Sequence, residues 1–171
     1  MTTPQKTAPG ERADLLQQLA KQRHFLRFTV RDLTDEQAAE RTTASELCLG
    51  GLIKHVTATE QQWANFILEG PSAMGQAGAV DDYLAAFRML EGETVAGILQ
   101  DYEKVAGRTD ELIATLPDLD VSHPLPEAPW FEPGAHWSAR RVLLHVIAET
   151  AQHSGHADII RESLDGAKSM G

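Results

Sequence analysis

Apolar residues return every three or four positions along most of this chain, and the stretches where they stop mark its breaks. Between Glu11 and Leu33 the stripe runs Leu15, Leu16, Leu19, Leu26, Val30 and Leu33, the period of a long amphipathic helix. Thr34, with Gln37 three residues on, has the form of a capping box and predicts a short helix to about Arg41. A second long helix is predicted from Ser45-Glu46 to Glu69, where Gly70-Pro71 stops it, and His55 lies at its middle. Small residues from Pro71 to Ala79 predict a loop, after which Asp81-Asp82 can cap a short helix through Met89. Ile98, Tyr102, Val105, Leu112 and Leu116 mark a further long helix from about Glu93 to Pro117. Pro117, Pro124, Pro126, Pro129 and Pro133 exclude regular helix up to Ala135. Ser138 then reads as the N-cap of a last helix, carrying Val142, Leu143, Val146, Ile147, Ile159, Ile160 and Leu164 until Gly166 ends it.

No run shows the alternation of a strand, so the fold class is all-α. Four long helices with a long proline-rich crossover before the last predict a four-helix bundle that is not simply up-down-up-down. A chain of 171 residues fits one domain, 1–171, with about nine loosely packed residues at the start. No apolar run approaches the ~20 residues that cross a bilayer. With no apolar leader and a single cysteine, Cys48, the expected setting is a reducing cytoplasm. A net charge of −10 argues against nucleic acid, and Arg140-Arg141, the densest basic spot, reads as a solvated helix start.

The last helix concentrates the chemistry. His145, Glu149 and His153 are four apart, so each step turns only about 40° around one helix face. Such a face offers several metal ligands but does not close a site, and His55 on the second helix is the natural partner. His156, about 60° around from His153, can replace Glu149 or stand behind the ligands. His145, flanked by Leu143, Leu144, Val146 and Ile147, reads as a packed core histidine. Cys48 lies almost two turns from His55, too far for co-ligation. Trp63 suits either a pocket wall or the core, and Gly155 either close approach of a neighbour or a tolerated defect. Asp158 and Arg161 predict a local ion pair, with a substrate carboxylate as the other use for Arg161. His123, Trp130, Phe131, His136 and Trp137 make the crossover a candidate lid or dimer contact.

The segments Gly51-Leu-Ile-Lys-His55-Val with Glu60 and Trp63, and His153-Ser-Gly155-His156-Ala-Asp158-Ile-Ile-Arg161-Glu162-Ser-Leu-Asp165-Gly166, resemble the DinB-like family of damage-inducible four-helix proteins over nearly the whole chain. The resemblance implies an up-up-down-down bundle that binds a divalent metal near one end, commonly through three histidines. By position these fall on His55, residue 149 and His153. Glutamate at 149 departs from that pattern and is similar to the His/Glu/His set of the related mycothiol-dependent maleylpyruvate isomerase. The implied metal is zinc, nickel or iron, and the implied cofactor a low-molecular-weight thiol, since members include transferases using mycothiol, bacillithiol or glutathione. The leading expectation is metal-dependent S-transfer or isomerisation of a small electrophile. The alternatives are non-haem iron oxygen chemistry, for which two histidines and a carboxylate also serve, and a non-catalytic metal-binding or dimerising bundle. A homodimer is a further expectation, and no catalytic residue is assigned.

Overall fold

The computed structural model describes residues 10–74 and 85–169. Helix dominates them: α1 (Glu11–Phe28), α2 (Asp35–Ala39), α3 (Leu49–Glu69), α4 (Val95–Thr115) and α5 (Ala139–Asp165). The predicted caps form. Thr34 and Gln37 close the box at α2, the Ser138 hydroxyl accepts from the Arg141 amide, and Gly166 ends α5 in the left-handed conformation.

Three boundaries differ from expectation. α1 stops at Phe28, because Thr29 bonds back to the Leu26 carbonyl at 2.7 Å and the Arg161 guanidinium takes the Thr29 and Arg31 carbonyls, at 2.7 and 2.8 Å, out of any helical ladder. α3 starts at Leu49 rather than Ser45, since Thr43 and Ser45 accept the amides of Ser45 and Leu47 in local turns. Residues 71–74, expected as loop, belong to a 3-10 turn, Gly70–Met74. The remainder of that loop, the start of the predicted short helix and the first nine residues lie outside the described residues.

A fourth difference is a pair of strands. β1 (Ser122–Pro124) and β2 (His136–Ser138) form an antiparallel ribbon with His123 opposite Trp137. At three residues each they are too short for alternation to show in sequence. The ribbon clamps the two ends of the crossover.

α1 and α3 each pack against both α4 and α5. Two apolar clusters fill the interior. One gathers Leu15, Leu19, Trp63, Phe66, Ile113, Val142 and Val146, the other Leu26, Leu49, Leu52, Ile53, Val56, Tyr102 and Ile160. Between them lies a polar layer. Arg23, 3% exposed, grips both carboxylate oxygens of Glu60, 1% exposed, and reaches Asp110 at 2.7 Å. No helix is long and apolar enough to cross a membrane among the described residues.

Candidate metal centre

His55, Thr59, Gln62 and Trp63 lie at i, i+4, i+7 and i+8 on α3, so they form one stripe. On α5, His145, Glu149 and His153 form another. The core faces of the same helices, Val56 and Glu60 on one and Val146 and Thr150 on the other, are buried, which leaves these stripes facing each other at the edge of the helix pair. His55, Glu149 and His153 each offer a ligand atom, and these atoms all lie within 4.8 Å of one another.

Each side chain has a physical support. The His55 ring stacks on Phe87 with centroids 4.0 Å apart and meets the His153 ring edge-on at 4.8 Å. Phe87 can approach because Gly51 has no side chain: a Cβ there would stand 1.8 Å from the Phe87 carbonyl oxygen. His153 Nε2 is 3.6 Å from a Glu149 oxygen, and its Nδ1 is 3.3 Å from Nδ1 of His156. With the proton on His153 Nδ1, donated to His156, the Nε2 lone pair faces the cluster, the way an outer partner fixes the tautomer of a ligating imidazole.

Burial holds the His55 imidazole down at about 4, with His153 adding to the effect. Burial also lowers His153, helped by His156 and opposed by Glu149. Both rings are therefore neutral at pH 7 and present lone pairs rather than charge. Two neutral imidazoles and a carboxylate are the donors of three-ligand catalytic zinc and of non-haem iron sites. Tetrahedral ligand atoms at zinc distances stand ~3.4 Å apart, close to the His153–Glu149 spacing. The residues present fit a divalent ion.

The cluster opens on a cavity of about 830 Å³. Trp63 and His145 line it, together with Pro126, Trp130 and Phe131 of the crossover. His145 corrects the sequence reading. It is half-buried, not core, with its ring edge-on to Trp63 at 5.0 Å and to Trp137 at 5.1 Å. Burial, joined by Arg141 and opposed by Glu149, lowers its pKa, so it too is neutral. Its spacing from Glu149 carried that signal, and its apolar neighbours masked it.

Other candidates fall outside the cluster. Cys48 is buried beside the Phe87 carbonyl, at 3.7 Å. Nothing crowds Gly155, so no close approach explains it. The Asp158–Arg161 pair does not form: Arg161 binds Asp165, and Asp158 accepts the Ser169 amide at 2.6 Å. Arg161 is thus a buried clamp on the end of α1, not a substrate anchor. His123 bonds the Ile67 carbonyl at 3.1 Å, and His136 is exposed on β2. Arg140 pairs with Glu11 and Asp120, tying the start of α5 to α1.

Compared with known proteins, the chain matches no curated protein. Residues 14–166 match a family model, described as mycothiol-S-transferase.

Proposed function

We propose, from the premise that this chain belongs to the mycothiol S-transferase family, that it is a divalent-metal-dependent transferase of a low-molecular-weight thiol, with His55, Glu149 and His153 as the metal ligands. The observation that carries this reading is the meeting of the three donors within 4.8 Å at the base of a cavity large enough for a thiol and a second molecule. An up-up-down-down order is part of the same reading. It is supported by the packing of α1 and α3 each against α4 and α5.

A bound divalent cation stabilises a thiolate over a thiol at neutral pH. The chain's own residues do the rest. His55 and His153, held neutral, leave Glu149 as the only charged donor of the three, so a divalent ion held there would keep net positive charge for an anionic sulfur. His145, one turn before Glu149, accepts the thiol proton. The sulfur electron pair forms the S–C bond, and the leaving group departs with its bonding pair; an activated double bond instead recovers the proton at the neighbouring carbon. Trp63 and Phe131 keep water from the reacting sulfur.

The test is elemental analysis of untagged protein beside His55→Ala, Glu149→Ala and His153→Ala, followed by conjugation assays with mycothiol. Near-stoichiometric metal in the wild type, lost with turnover in all three variants, is expected. Full metal and full turnover in the variants would refute the ligand assignment.

A further inference from the structure

The cavity lining has two unlike sets of residues: His55, Glu149 and His153, and an aromatic wall of Trp63, Trp130 and Phe131, in which Phe131 meets both indoles, at 6.4 and 6.2 Å. Trp63 is fixed: it is buried, stacked on Trp137 at 4.9 Å and 17°, and touched edge-on by Phe66 at 5.3 Å and Phe131 at 6.4 Å. Trp130 is 70% exposed and meets the Phe131 ring edge-on at 6.2 Å. An indole left in water at a cavity mouth gains from a flat ligand that covers it.

The charged side chains of the protein that line this cavity have one sign: the exposed Glu127 and the half-buried Glu149 are among them, and no lysine or arginine is, among the described residues. Arg141, the cation closest in sequence to His145, lies over the Trp137 ring, 4.4 Å from its centroid. An organic anion entering here would lose hydration without gaining a protein cation and would meet Glu127 in the lining.

We infer, building on the transferase reading above, that the electrophile is a flat, apolar and uncharged molecule that lies against Trp63 and Phe131 under Trp130, and that Glu127 turns organic anions away. The wall supplies dispersion and stacking without directional polar contacts, so it accepts a class of rings rather than one compound.

Binding tests this without thiol or turnover. The full-length protein, as purified and again after chelation, is titrated with 4-nitrophenyl methyl sulfone and with 4-nitrobenzenesulfonate, rings matched in shape and differing in charge, with Kd read by ligand-detected NMR. The sulfone is expected to bind about tenfold more tightly. Trp130→Ala should weaken the sulfone roughly fivefold, and Glu127→Lys should narrow the gap between the two ligands. Sulfonate binding as tight as the sulfone, no measurable sulfone binding, or a Trp130→Ala variant that binds the sulfone unchanged would overturn the inference. Absence of metal with the sulfone preference intact would sink the ligand assignment and leave the aromatic subsite standing.

Discussion

α3 and α5 each help to build two polar clusters, and the two differ in how their charges are balanced. In the interior, Glu60 of α3 meets Arg23 of α1, with Asp110 of α4 behind and Thr150 of α5 nearby, so a buried anion has a buried cation from the same chain. At the edge, five residues before Glu60 and one before Thr150, stand His55 and Glu149. Glu149 is 30% exposed, and among the described residues its one ion-pair partner is His153, whose ring burial keeps neutral. The first cluster pairs its buried anion with a cation of the same chain; the second brings two neutral imidazoles and one carboxylate within 4.8 Å, a donor set that could hold a metal ion.

The sharpest way to separate the two is to damage each in turn. Glu60→Ala removes the buried partner of the Arg23 guanidinium, leaving it only Asp110, and should cost about 3 kcal/mol in chemical denaturation, while metal content per folded molecule stays unchanged. Next in size is the gain from metal binding: at roughly a hundredfold excess over Kd, a divalent metal should stabilise the wild type by about 2.7 kcal/mol, and Glu149→Gln should abolish most of that shift. If Glu149→Gln is stabilised by metal as fully as the wild type, the edge cluster is no binding site. Gly51→Ala, which drives a methyl into the Phe87 carbonyl, should cost on the order of 1–3 kcal/mol and loosen metal binding by displacing the ring beneath His55.

Acid probes the buried imidazoles. The unfolded His55 takes a proton near pH 6.5, and the folded one only at about 4, so metal-free protein should lose stability as pH falls through that window, with His145 and His153, also lowered by burial, adding slope of the same sign. Denaturation midpoints across pH 4–7 should show a shallower slope in His55→Asn than in the wild type. The smallest effect is at Cys48. Cys48→Ser should cost about 1 kcal/mol for a hydroxyl in an apolar setting and leave bound metal as it was. Loss of metal in that variant would move the thiol into the site.

Much of the fold was legible because helix period and capping are local. Thr34, Ser138 and Gly166 act as they read, and four-residue spacing drew attention to His145, Glu149 and His153 on one helix face, while the resemblance supplied the set of His55, Glu149 and His153 whose donor atoms meet within 4.8 Å. What escaped depends on partners distant in sequence. Arg23 fills the place between Leu19 and Leu26 where the apolar stripe of α1 lapses, and only the arrival of Glu60 makes a charge acceptable there. Arg161 looked like a partner for Asp158, yet the open carbonyls at the end of α1 hold it more firmly than a neighbour on its own helix. His145 sits among leucines in sequence and between two tryptophans in space, and the second fact brings it to the cavity.

The ribbon that joins Ser122–Pro124 to His136–Ser138 has a consequence for how this protein can change over time. Because it fastens the crossover at both ends, the segment bearing Trp130 and Phe131 is a graft on a fixed scaffold. Insertions, deletions or a borrowed loop between those anchors can redraw what the pocket accepts while the helices that hold His55, Glu149 and His153 keep their spacing. Selection can thus diversify substrates at one address and conserve reactivity at another.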